Sequence, residues 1–138
     1  MERTLSGTID NDGFPYITVG LGLDQSVPPV VTKAIIDTGA SRSLLRVDLI
    51  KELKLSVIAT AQYNHPLYGR QTGNFYSADI LFDLYNHTLG IALLKGVVFG
   101  ELIAKDYPSA VILGVDFLRN CDFDYDGINK KFSLHLKI

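Results

Sequence analysis

The chain has 138 residues, 47% of them hydrophobic and 20% charged, which is enough for one soluble domain spanning residues 1–138 with a substantial core. A balance of 13 basic against 15 acidic residues leaves a formal net charge of -2, excluding electrostatic capture of nucleic acid or of an anionic membrane as the organising principle. The single Cys121 makes no internal disulfide, no apolar run approaches membrane-spanning length and the N-terminus lacks a signal-peptide stretch, so a cytoplasmic protein is expected.

Taken in order, Thr8–Ile9 and Phe14–Leu21 read as two strands joined by the turn cluster Asp10-Asn11-Asp12-Gly13. Ile17, Val19, Leu21 and Leu23 alternate with smaller or polar residues, the pattern of a half-buried strand. A loop is expected over Ser26–Pro29, followed by a buried strand through Val30, Val31, Ala34, Ile35 and Ile36 that ends on Asp37. Arg46–Leu55 has the spacing of one or two helical turns, and Val57–Tyr63 is expected to be extended.

Asn64 to Gly73 forms a polar tip containing Gly and Pro, and Tyr76, Ala78, Ile80, Phe82 and Leu84 then alternate strictly, so a protruding hairpin is predicted. Asn86-His87 is a turn, Leu89–Val98 one or two strands, and Ser109–Gly114 another buried strand ending on glycine. Val115–Asn120 fits a short helix, and Cys121–Tyr125 with Lys130–Ile138 form a hairpin about Asp126-Gly127. The fold class is mainly β with one or two short helices, without linker, repeat or low-complexity tract.

A buried strand ending on Asp delivers a carboxylate into low dielectric, where its ionised form is costly unless hydrogen-bonded or paired. Asp37 is followed by Thr38, Gly39, Ala40 and Ser41, a hydroxyl and then small residues that permit close backbone approach. Such a carboxylate is either a structural turn-former or a catalytic group. The tripeptide Asp-Thr-Gly is weak alone, but a second apolar-apolar-glycine element, Ile112-Leu113-Gly114, follows the intervening hairpin.

Together these features resemble the retropepsin family, the single-lobe aspartic peptidases of retroviral type and their non-viral relatives. The resemblance runs from about Phe14 to Ile138. It is specific at Asp37-Thr38-Gly39-Ala40, at the flap-like hairpin from Tyr63 to Tyr76, and at Ile112–Leu118, which looks closer to the non-viral members. It implies a closed β-barrel with a flap and an aspartic endopeptidase activity that needs no cofactor. One catalytic motif per chain implies a homodimer, with Asp37 from each subunit meeting at a two-fold axis.

The resemblance also implies roles for individual residues. Thr38 would hydrogen-bond across the dimer, Gly39 would offer its carbonyl to a bound peptide, and Ala40 would line the cleft. Ile112, Leu113 and Gly114 would pack under the catalytic loop, with Leu113 walling a specificity pocket. Tyr68 and Gly69 belong to the flap that closes on substrate, and Gly69 and Gly73 would give it mobility. The chain departs from the viral pattern at Ser41 and Arg42, where many viral members carry acids, and at Asp116, where they carry Arg; an exchanged Arg42–Asp116 pair is therefore expected. The strand Lys130–Ile138 is either an intersubunit strand or a core strand of one subunit.

The chemistry accounts for the residue types. Hydrolysis of a peptide without metal or nucleophilic side chain needs one group to take a proton from water and another to donate one. Two carboxylates sharing a proton do both, because like charges in contact cannot both ionise. The rival reading keeps the fold as a non-catalytic dimerisation or peptide-binding module.

Other chemistries fit less well. Asp122-Phe123-Asp124-Tyr125-Asp126-Gly127 copies the start of a calcium loop, but Ser133 stands where its glutamate belongs, so a strand with a polar face is expected. His65, His87 and His135 lack metal-ligand spacing. There is no Gly-x-Ser-x-Gly for a serine hydrolase, and Gly69–Gly73 lacks the Lys-Ser/Thr ending of a phosphate loop.

Overall fold

A computed structural model describes residues 2–22, 28–65, 67–103 and 107–137. The elements run β1 (Glu2–Ile9), β2 (Pro15–Gly22), β3 (Val30–Ile36), β4 (Leu44–Arg46), α1 (Val47–Glu52), β5 (Val57–His65), β6 (Gly69–Phe82), β7 (Ala92–Leu102), β8 (Val111–Leu113), α2 (Val115–Leu118), β9 (Cys121–Asp126) and β10 (Lys131–Lys137). Strand accounts for 60% and helix for 8%, so the mainly β class holds. Leu23, Pro66, Ile138 and, in the Ser26–Pro29 loop, Ser26 and Val27 lie outside the described residues.

The strands form one sheet in the order β5-β6-β7-β4-β8-β3-β2-β1-β10-β9, and an additional β6–β2 pairing closes the middle of it. That pairing joins Gly20 to Leu81, Leu21 to Ile80 and Gly22 to Asp79. The result is a closed barrel of six strands, β2-β3-β8-β4-β7-β6. Period-two alternation turns Val19, Leu21, Ala34, Ile36, Leu45, Ala78, Ile80, Phe82, Phe99, Val111 and Leu113 into a single core. Burying the Val, Leu, Ile and Phe side chains among them is the main favourable term in folding, at about 1.5–3 kcal/mol each.

Several boundaries differ from the sequence expectation. β1 begins at Glu2 rather than Thr8 because β10 supplies it with a long-range partner, from Glu2↔Lys137 to Thr8↔Lys131. β4 was not expected as a strand; it exists because β7 and β8 flank it. Helix α1 is only six residues long. The β5–β6 ladder runs out to His65↔Gly69, so the irregular tip is much shorter than Asn64–Gly73. β7 begins at Ala92 because Asn86 captures the preceding segment: its side-chain oxygen accepts from the Thr88 and Leu89 amides, and its carbonyl accepts from Gly90 N. Arg3 secures the same turn through Asp83 Oδ2 at 3.3 Å and the Gly90 carbonyl at 2.7 Å.

β10 lies between β1 and β9 with both edges hydrogen-bonded inside the chain, as a core strand does. The Asp122–Gly127 run is the strand β9 and its turn: Asp122 pairs with Lys137 at 2.8 Å, and Asp126 accepts from the backbone and side chain of Asn129.

Candidate active site

Asp37 sits where β3 leaves the barrel. β3 pairs in parallel with β8, Ile36 opposite Leu113, while β4 pairs with the other edge of β8. The chain from Asp37 to Ser43 therefore has to cross over the end of β8 to pass from one neighbour to the other. Three hydrogen bonds hold the crossing: Asp37 N to Leu113 O at 3.0 Å, Val115 N to Ala40 O at 2.7 Å, and Gly114 N to Ser43 Oγ at 3.0 Å.

Gly114 is the closest approach. A Cβ there would lie 2.6 Å from Ala40 O and 2.7 Å from Arg42 O, well inside contact distance, so only glycine lets the two backbones cross. Ile112-Leu113-Gly114 is thus brought directly beneath Asp37-Thr38-Gly39-Ala40. Within the loop, Gly39 N donates to Asp37 Oδ1 at 2.9 Å, and Ala40 N donates to the Asp37 carbonyl at 3.2 Å. This turn orients the half-buried carboxylate while leaving Oδ2 without a hydrogen bond among the described residues. Thr38 and Gly39 are exposed and Ala40 is half-buried.

Leu113 is fully enclosed in the barrel core. Its contribution to the loop is its carbonyl, and its side chain presents no surface to a ligand. The neighbouring Ile112 faces the other side of β8, beside Ile35 and Leu44. Tyr68 and Gly69 lie at the β5–β6 tip, where Leu67 and Tyr68 are 81% and 72% exposed. Gly69 turns the chain with φ +70, whereas Gly73 lies inside the paired β6, under the Tyr63 ring. Gly73 therefore makes room for an aromatic side chain and is not part of the turn.

Arg42 and Asp116 do not pair. Asp116 Oδ2 accepts from Ser43 N at 3.0 Å, and Oδ1 accepts from Ser43 Oγ at 2.7 Å and from Phe117 N at 2.8 Å. Ser43, one residue further on, points inward and occupies the carboxylate. The Arg42 guanidinium instead stacks over Phe75, with Cζ 5.0 Å from the ring centroid. Ser43, only 1% exposed, is the structural centre that sequence reasoning missed. The signal was a hydroxyl two positions after Ser41, beside an acid two positions after Gly114.

Tyr107 was also missed. Its phenol is pushed above the ordinary value first by burial, then by the negative charge of Asp37, and last by Tyr16. The ring therefore stands within electrostatic reach of Asp37. Its carbonyl accepts from Arg46 Nη1 at 3.4 Å, and Arg46 is itself forked onto Asp48 at 2.7 and 3.1 Å.

The chain is similar over 99% of its length to the crystal structure of a retropepsin-like aspartic protease from Rickettsia conorii, 93% of which is covered, with a TM-score of 0.66 and 15% sequence identity. The fold is retropepsin-like. No protein-family model matches the chain, and no curated protein matches it in sequence. A retropepsin-like fold with a barrel crossed at Gly114 places Asp37 at the end of a rigid strand, which is what a precisely aimed carboxylate requires.

Proposed function

We propose that the chain is an aspartic endopeptidase that works as a homodimer, with Asp37 from each copy forming one catalytic pair. The observation that carries this reading is the Asp37 loop: a carboxylate oriented on one oxygen by Gly39 N, with its other oxygen accepting no hydrogen bond among the described residues, at the exposed end of a buried strand. A purely structural Asp turn has no need of a second chain segment crossing beneath it at a position only glycine can occupy.

In the proposed reaction the ionised carboxylate of one copy takes a proton from water, and the resulting hydroxide attacks the scissile carbonyl. The protonated carboxylate of the other copy gives its proton to the carbonyl oxygen. Collapse of the tetrahedral species returns a proton to the leaving amine, regenerating one shared proton. Thr38 would tie the two loops together and Gly39 would receive the substrate backbone. Ala40 would line the cleft, and Leu113 would support the loop from below. The β5–β6 hairpin, with Tyr68 and Gly69 at its tip, would act as a flap that excludes water. The substrate would be an extended peptide bound through strand-like hydrogen bonds. The free thiol of Cys121 suits the reducing cytoplasmic setting expected from the sequence.

Asp37→Asn keeps the loop's hydrogen-bond geometry and removes the proton chemistry. Cleavage of an unfolded protein at pH 4–7 is expected to disappear in this variant while sedimentation still shows a dimer. An Asp37→Asn protein as active as the parent would refute the mechanism. A verified parent dimer that cleaves nothing would assign the fold to a peptide-binding module instead.

A further inference from the structure

A groove of about 620 Å³ opens beside the catalytic loop, between the Leu93–Val98 part of β7 and the Asp116–Asn120 segment that includes most of α2. Three cations line it: Arg42, Lys95 and Arg119. All three are exposed, and none forms an ion pair among the described residues. The acid within the groove, Asp116, has both oxygens turned to Ser43 and to the Phe117 amide. The nearest acid on β6, Asp79, accepts from Gly96 N at 3.0 Å. Three cations against these two carboxylates leave the groove positive on a chain whose net charge is -2.

We propose that this groove binds acidic side chains of a peptide, and that it extends the substrate cleft. The second half rests on the peptidase reading above. Arg42 joins the two places. It lies five residues after Asp37, at most about 18 Å along an extended backbone, and it lines the groove, while its guanidinium lies over Phe75 with Cζ 5.0 Å from the ring centroid. An extended peptide advances about 3.3 Å per residue, so Asp or Glu within about five residues of the scissile bond reaches Arg42. Lys95 and Arg119 add two further positive charges to the same groove. Arg can meet a carboxylate with two parallel hydrogen bonds, which favours a carboxylate over a neutral amide.

The test uses the full chain, isotopically labelled for NMR. It is titrated separately with N-acetylated hexaglutamate, with N-acetylated hexaglutamine and with inorganic phosphate. Hexaglutamate is expected to shift the amides of Lys95–Val98, Arg119 and Asn120, and to bind about tenfold more tightly than hexaglutamine. That factor is the product of three exposed charge pairs worth about twofold each, and it shrinks with added salt. The double variant Lys95→Glu/Arg119→Glu loses the preference; where it folds poorly, Lys95→Gln/Arg119→Gln replaces it. Equal affinity for the two peptides, shifts confined to another surface, or a response to phosphate as strong as that to hexaglutamate would overturn the proposal. Cleavage is read separately. A protease without these shifts loses the groove and keeps the peptidase, whereas shifts in a protein that cleaves nothing keep the groove and refute the peptidase.

Discussion

Ser43→Ala tests whether the loop crossing is held as described. The hydroxyl donates to Asp116 Oδ1 at 2.7 Å and accepts from Gly114 N at 3.0 Å, and the residue is 1% exposed. Removing it deletes a hydrogen bond to a charged acceptor, worth about 1.5–3 kcal/mol, and strands a buried amide at a cost of about 1–3 kcal/mol. The two terms share one atom and do not add fully. Asp116 also keeps the Ser43 and Phe117 amides, so a loss of about 2–4 kcal/mol is expected. Unfolding entropy for a chain of this length is about 0.3 kcal/mol per kelvin, which makes this a fall of about 7–13 °C in Tm. Urea denaturation should show a lowered midpoint with an unchanged slope. Ser43→Thr retains the hydroxyl and is expected to recover at least half of the loss. A Ser43→Ala protein within about 0.5 kcal/mol of the parent would refute the bracing role, since surface substitutions away from such features fall in that range.

Other outcomes are expected at Gly114 and at Cys121. Gly114→Ala forces a Cβ to within 2.6 Å of Ala40 O, so the loop must move; peptidase activity is expected to fall at least a hundredfold in any folded product, measured against parent on one peptide. The Cys121 thiol is pushed up to about 11 by burial, with a smaller contribution from Asp122, so a disulfide reagent at pH 8 should label it slowly in the folded chain and rapidly in urea. Because the unfolded thiol ionises first, this group's contribution to stability is intact below about pH 9, and is lost as pH rises toward 11. Cys121→Ser should flatten that part of the urea-midpoint profile.

The residues that were legible in the sequence were those whose neighbours along the chain announce them. Ala34-Ile35-Ile36 before Asp37 declares a buried strand, and the alternation Tyr76 to Phe82 declares another. Ile112-Leu113-Gly114 could be read as a buried strand ending on glycine, although not what crosses over that glycine. What stayed hidden depends on long-range pairing. β1 is a strand because β10 lies beside it, and β4 because β7 and β8 hold both its edges. The same applies at the site. Arg42 and Asp116 carry opposite charges on adjacent segments, but Ser43 is nearer to the carboxylate and already inside the fold. A short neutral hydroxyl with two partners displaces a long exposed guanidinium whose ion pair would be worth little.

The position of β10 constrains how two copies can meet. A C-terminal strand paired on one edge to β1 and on the other to β9 has no free edge left to exchange across a two-fold axis. The open edge of that part of the sheet belongs to β9, whose Asp122, Asp124 and Asp126 would face like charges in a symmetric pairing; charged residues on an edge strand discourage such contacts. The proposed dimer is therefore better built around the Asp37 loop itself. Thr38, Gly39 and Ser41 are exposed there, and Val115, whose amide is bonded to Ala40, keeps 44% of its surface in solvent. A contact centred on those residues would bring the Asp37 carboxylates together directly, and it would make the proposed pairing and the proposed catalysis depend on the same few hydrogen bonds beneath the loop.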